Sequence, residues 1–386
     1  MKIVMLLAAA LLAAPPARAE EGKYAKLAHN VITSTAQVKP GEVVLISGGK
    51  HTTPLLEELA IETFKAGGLP VISLDSDRIE RAVGFDVKAD YLSQEWKFYG
   101  EWLKTTDVLI NLPNIEDPAL FARIPADRQA KLGAAGAVIT EALNKSHVRS
   151  INLAFPSRQE AAAFKVGFEA YEKMTRDSMS VDYAPVAEAG DKLKALLGSA
   201  KQVHVTSAAG TDVTFSPGGR PVSVEAGLPR AGMAGESVYA SHVVNLPGGR
   251  MAMAPLETSA NGKVVVPKDL CGDTVVKNQS FELKEGKITG YKADSDCITK
   301  LLAPYAGEKD RFGYFRIGLN PGQKVIDSGE SRLFPGFAAG MVWIGVGDNA
   351  WVGGQNRGGG GWVFPVTRAT VEVDGKVIVK DGKLSL

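Results

Sequence analysis

The sequence has no excess of either charge: 44 Lys+Arg stand against 43 Asp+Glu in 386 residues, a formal net charge of +1. No field of that size holds a nucleic acid, and no basic stripe runs along the chain, so nucleic-acid binding is not expected. Cysteine is nearly absent, with two residues, and two thiols make neither a disulfide framework nor a four-thiolate zinc site. Five histidines leave little material for a His-rich metal centre. Beyond residue 14 no apolar stretch approaches the roughly 20 residues that a bilayer-spanning helix needs. There is no H-E-x-x-H, no G-x-S-x-G and no reactive-Cys signature, so nothing local supports nucleophilic or zincin-type catalysis. A chain that is 45% hydrophobic and 23% charged is globular, not disordered, collagen-like or coiled-coil.

What is present begins with an export signal. Lys2 supplies a short positive start, residues 3–14 are uninterruptedly apolar, Pro15 and Pro16 break the run, and Ala17-Arg18-Ala19 fits the A-x-A cleavage rule. The alternative is an uncleaved anchor. No Cys follows the apolar run, which excludes a lipoprotein, and cleavage after Ala19 gives a mature chain starting at Glu20 in the periplasm or outside the cell. Such a compartment is oxidising, which favours a disulfide between Cys271 and Cys297 over two buried free thiols. Between them FELKEGKITGYK alternates about Glu285-Gly286, a hairpin pattern that places the two cysteines near its open end, on opposite strands.

Length suggests two domains, because single cores stop growing at about 250–300 residues. Residues 20–200 alternate short apolar strands (residues 43–47, LPVISLD, DVLINLPN) with helical stretches, and GAVITEAL and SINLAFPS continue the rhythm. That predicts an α/β domain with a mostly parallel sheet. From about Gln202 the pattern becomes strands and Gly-rich hairpins, a β-rich domain over 201–386, with DCITKLLAPYAG as the main helical exception. Ser47-Gly48-Gly49 has neither dinucleotide nor Walker spacing and reads as a tight βα turn. His51 reads as a surface residue, and His29 and His147 lack partners at metal spacing. The run GGQNRGGGGW over 353–362 is open to two readings, a flexible surface loop or backbone lying against an anion.

Several stretches in order resemble the aminopeptidase T / aminopeptidase S family of metallo-aminopeptidases: VKPGEVVLISGG, AFPSRQEA from Ala154, GTDVTFSP from Gly210, NLPGGRMAMAPLETSANG from Asn245, then RIGLNP, IGVGDNAWVGGQN and TVEVDGKVIVKDGKL. The resemblance covers nearly the whole mature chain. It implies an α/β N-terminal half, a β-rich C-terminal half carrying the metal cleft, a homodimer, and two ions such as zinc or cobalt held by two Glu, two His and one Asp. Placed by neighbouring landmarks, those positions fall on Arg250, Tyr314, Trp343, Gly361 and Val363, so the expected ligands are all replaced. Trp, Gly and Val carry no side-chain ligand, and Arg brings a cation into that space. Without a metal there is no activated water and no Lewis acid for a peptide carbonyl.

The sequence therefore points to an exported protein with a degenerate metal site and no cofactor, binding a peptide or small anionic ligand on an aromatic-walled cationic pocket of Arg250, Tyr314 and Trp343, with the amides of 358–361 nearby. The competing expectation for Arg250 is that it only pairs with a leftover acid such as Glu330 or Asp348. Competing expectations for the whole chain are a hydrolase using relocated ligands, with Glu257, Glu330 and Asp348 as candidates and Asp327 nearby, or an enzyme of different chemistry in the same cleft. Mass spectrometry of native protein is expected to find Glu20 as the first residue; cytoplasmic material with intact Met1 would contradict the export reading.

Overall fold

The computed structural model describes residues 22–386, apart from 118, 230–242, 273, 327–332 and 359. The signal segment 1–19, Asp327 and Glu330 lie outside the described residues. Strands β1 (Val43–Gly49), β2 (Leu69–Asp75), β3 (Val108–Asn111) and β4 (Arg149–Leu153) alternate with helices such as Thr53–Lys65 and Ala126–Lys145. The four strands run parallel, as buried apolar runs joined by helical crossovers should. GAVITEAL falls inside the helix Ala126–Lys145: a short apolar run cannot be told from a buried helical segment by periodicity alone. Ser47-Gly48-Gly49, expected as a tight βα turn, are instead the last residues of β1, and the turn into the helix is made by Lys50–Thr52; a Cβ at Gly48 would lie 2.5 Å from Thr52 Oγ1.

After the helix Ala184–Ser199 the chain enters β5 (Val203–Ser207), β6 (Asp212–Phe215) and β7 (Val222–Glu225). Then β8 (Val243–Leu246) returns to the first sheet and pairs in parallel with β4, giving the order β2-β1-β3-β4-β8. The parallel sheet thus takes a strand from beyond residue 200, and the expected boundary is crossed by the chain itself. The remaining strands are β9 (Arg250–Met253), β10 (Asn261–Cys271), β11 (Thr274–Lys284), β12 (Lys287–Lys292), β13 (Phe312–Gly318), β14 (Val342–Gly347), β15 (Gly361–Val366), β16 (Ala369–Val373), β17 (Lys376–Lys380) and β18 (Lys383–Leu384). They complete an antiparallel sheet ordered β12-β11-β10-β6-β5-β16-β17-β18 and another ordered β15-β14-β13-β9-β7.

The two antiparallel sheets pack face to face through aromatic contacts. Phe215 meets Phe312 and Phe315 at ring-centroid distances of 5.0 and 5.1 Å, and Phe281 meets Phe364 at 4.7 Å. One core runs from Val44 and Ile110 in the first sheet through Phe315 and Ile344 to Val371. It consumes one face of the β13–β14 pair (Phe315, Ile317, Val342, Ile344) and leaves the alternate residues on the outer face.

The hairpin β11–β12 turns at Glu285-Gly286 as expected, both residues having positive φ. Cys271 and Cys297 are joined by a disulfide. Their setting differs from the expectation: Cys271 ends β10 and Cys297 opens the helix Cys297–Leu302, so the bond ties that helix to the sheet and does not bridge the strands of the hairpin.

The loop from 348 to 357 is fixed by buried polar side chains. Asn349, fully buried, donates from Nδ2 to the Gly313 carbonyl at 2.7 Å and to Glu257 Oε1 at 3.0 Å, and its Oδ1 accepts from the Asn356 amide at 2.8 Å. Asn356 donates in turn to the carbonyls of Phe312 and Gly347. The Glu257 carboxylate also accepts from the Gln355 amide at 2.7 Å and from both terminal nitrogens of Arg220 at 2.9 and 2.7 Å. Gln355 and Asn356 of the glycine-rich run are therefore held in place by hydrogen bonds. Gly360 is glycine because a Cβ would lie 2.4 Å from the Tyr305 ring. The run packs against the segment before β13, and no structural observation turns its amides toward a ligand.

Burial is the largest effect on Glu257 and acts to raise its pKa, but the hydrogen bonds from Gln355, Asn349 and Arg220 together outweigh it and hold the group below the ordinary value. The stabilisation is therefore full above the unfolded glutamate value of about 4.3 and is lost as pH falls through the lower folded value. Glu257→Ala is expected to cost about 3–5 kcal/mol by stranding the Arg220 charge, read by urea unfolding at neutral pH. The gap in stability between wild type and Glu257→Gln should close as the titration is carried well below about pH 4; a gap independent of pH would contradict the assignment. Non-reducing peptide mapping should recover Cys271 and Cys297 in one linked species.

Candidate ligand-binding face

The outer face of the β15-β14-β13-β9-β7 sheet gathers the five positions singled out in the sequence. Strand register sets the rows. Glu225, Arg250 and Gly318 lie in one row; Ser223, Ala252, Arg316, Trp343 and Pro365 lie in the next. Tyr314, Gly345 and Val363 follow, then Gly347 and Gly361. Because residues on neighbouring strands in register point to the same side, Arg250, Tyr314, Trp343, Gly361 and Val363 share one face. The sheet, by its alternation, brings together positions up to 113 residues apart, from 250 to 363.

Among the described residues Arg250 pairs with Glu225 and not with Asp348; Glu330 lies outside them. The Arg250 Nη2 donates to Glu225 Oε1 at 2.6 Å, and its guanidinium lies 5.0 Å from the Phe337 ring centroid. Glu225 stands directly across from it on β7. Asp348 is engaged locally, with one oxygen accepting from the Ala350 amide at 3.1 Å. Glu257 is committed to Arg220, Asn349 and Gln355, as described above. Glu257 and Asp348, two of the three fallback carboxylates, thus have structural partners; Glu330 lies outside the described residues.

The centre of the face is a residue that sequence reasoning passed over. Arg316 follows Tyr314 by two in FGYFRIG, the strand period that puts both on one side. Its guanidinium carbon sits 4.5 Å from the Tyr314 ring centroid and 4.8 Å from that of Trp351. The two rings meet edge to face, 5.4 Å apart at 74°. Trp351 is placed there by the loop that Asn349 and Glu257 anchor. Tyr314 lies across β14: a Cβ on Gly345 would be 2.2 Å from its ring, so glycine at 345 is what lets the tyrosine lie flat. Burial lowers the Arg316 pKa, with Tyr314 and Glu225 opposing and Arg250 adding to the shift; a guanidinium nonetheless stays charged in any neutral medium. Burial raises the Tyr314 pKa, partly offset by Arg316 and Arg250, so the phenol stays protonated and can donate.

Arg316 Nε and Trp343 Nε1 are both buried with no hydrogen-bond partner among the described residues. They belong to residues directly opposite one another on β13 and β14. Around them stand Ala252, Val352, Val363 and Met341, in small apolar clusters apart from the main core. His29 and His51 lie elsewhere. His29 pairs with Glu62 at 2.9 Å. His51 is half-buried against Phe155 rather than on the surface, and burial lowers its pKa.

The metal ions that the family resemblance implies do not fit this donor set. A divalent ion needs several carboxylate, imidazole or thiolate ligands, whereas the described part of the face offers two guanidinium groups, an indole, a valine, a glycine, a protonated phenol and one carboxylate, Glu225, which is already paired with Arg250. Among the described residues, no three His, Cys, Asp or Glu side chains form a group able to hold a metal ion. Such a face can hold an acceptor-only group.

Comparison with known proteins places the fold. A solved structure of wild-type AmpT from Thermus thermophilus superposes with a TM-score of 0.64 at 15% sequence identity, covering 94% of this chain and 98% of that one. A 2,5-dihydroxypyridine dioxygenase from Pseudomonas putida KT2440 superposes with a TM-score of 0.53 at 17% identity, covering 94% and 96%. No curated protein sequence matches the chain. The profile of the thermophilic metalloprotease family (M29) matches residues 19–307, well over half the sequence. The α/β half, the two antiparallel sheets and that match together establish that the chain belongs to the thermophilic metalloprotease (M29) family.

Proposed function

We propose that this M29-family chain is an exported, non-catalytic protein that holds a peptide or small anionic ligand on the outer face of the β15-β14-β13-β9-β7 sheet. The observation that carries this reading is the convergence of the replaced positions. Arg250, Tyr314, Trp343, Gly361 and Val363 share one face, and the cation Arg316 lies among them, opposite Trp343 and against the Tyr314 ring. An unpaired guanidinium repels a divalent ion and attracts an anion. Peptide hydrolysis by family-type chemistry needs a Lewis acid and a metal-activated water, and this donor set supplies ligands for neither. Export is consistent with the Cys271–Cys297 bond, since disulfides persist in oxidising compartments.

The relocated-ligand hydrolase is disfavoured by the engagement of Glu257 with Arg220 and Asn349. Metal analysis of the mature protein after loading with zinc, cobalt or manganese and desalting should find no stoichiometric ion, and leucine p-nitroanilide should not be hydrolysed with any of the three present. About two equivalents of bound metal together with turnover would overturn the proposal.

A further inference from the structure

The two cations on the face are not equivalent. Arg250 is neutralised by Glu225 at 2.6 Å. Arg316 makes no side-chain hydrogen bond or ion pair with any described residue; its contacts are the rings of Tyr314 and Trp351. A half-buried guanidinium normally finds a carboxylate within the protein, because desolvating it without a partner is costly. Glu225, whose charge acts on Arg316, is already paired with Arg250. The unpartnered indole N–H of Trp343 directly across the strands compounds the deficit.

We propose that Arg316 anchors a small organic monocarboxylate, its guanidinium edge donating two hydrogen bonds to the carboxylate while Trp343 Nε1 supplies a further donor. The proposal deepens the ligand-binding reading of this face and rests on it. Shape and charge both select the ligand. Tyr314 and Trp351 lie against the guanidinium, leaving its edge for a planar, bidentate acceptor. One uncompensated positive charge matches one negative charge; a doubly charged phosphate would leave an excess in a partly dry site. The surroundings, Ala252, Val363 and Met341, suit an apolar body behind the carboxylate. A free carboxylic acid and the C-terminus of a peptide present the same chemistry.

The test is isothermal titration of the mature wild-type protein with N-acetyl-leucine, N-acetyl-leucinamide, the dipeptide N-acetyl-glycyl-leucine and inorganic phosphate. Saturable binding of one or both carboxylates, with neither the amide nor phosphate binding, is the expected result, and the stronger of the two identifies the source as acid or peptide terminus. Arg316→Gln should weaken carboxylate binding by about 10- to 100-fold, the loss of charge-assisted hydrogen bonds, while the unliganded protein melts at the same temperature or higher because an unpaired buried charge is gone. Trp343→Phe keeps the ring and removes only the N–H, and should weaken binding several-fold.

Equal binding of acid and amide would overturn the carboxylate assignment while leaving a ligand-binding face standing. Carboxylate binding unchanged in both variants would overturn Arg316 as the anchor. Absence of any binding up to about 10 mM, far weaker than a functional site of this kind, would overturn the proposal outright. Stoichiometric metal binding with turnover would instead strike at the broader reading.

Discussion

The carboxylate of Glu257 is the point on which the outer face depends. It is buried, charged and supplied with donors from two separate segments: Arg220 before β7, and Asn349 and the Gln355 amide in the loop after β14. A buried anion is tolerated only when its lone pairs are filled, so the two segments are fixed relative to Glu257 wherever the carboxylate is ionised. One result is local. Trp351, two residues beyond Asn349, is held against Tyr314 and Arg316. Another concerns composition: the glycine-rich stretch that follows is held at Asn356, which binds the Phe312 and Gly347 carbonyls.

Much of this architecture was legible in the sequence. Buried apolar strands alternating with helices gave the parallel sheet, and Gly-rich hairpins gave the antiparallel ones; both signals are local, because side-chain period follows backbone geometry. What escaped was long-range. GAVITEAL has no local mark separating a buried helical turn from a strand. The return of β8 to the first sheet, and Cys271 ending β10 with Cys297 opening a helix, are matters of tertiary placement. A glycine-rich run looks flexible until the polar side chains flanking it are seen to be buried.

The site was half legible. Counting from landmarks put Arg250, Tyr314 and Trp343 in one neighbourhood, and β-sheet register brings them to one face. The role given to Arg250 was displaced by Glu225, which stands opposite it on β7 but 25 residues earlier in the chain. Arg316 was readable in principle, since period-two alternation from Tyr314 reaches it. It was overlooked because attention fell on replaced ligands, whereas the charge that dominates the face belongs to the position between them.

Tyr314 lies flat over Gly345, and Arg316 lies against Tyr314. That stack has a consequence for any metal donor placed on this face. A carboxylate substituted at 314 would face the Arg316 cation and be captured as an ion pair. A histidine substituted at 343 would stand beside the same positive charge, which disfavours a second cation nearby. Single substitutions therefore do not build a metal site here, and only removal of Arg316 together with the added donors opens that path.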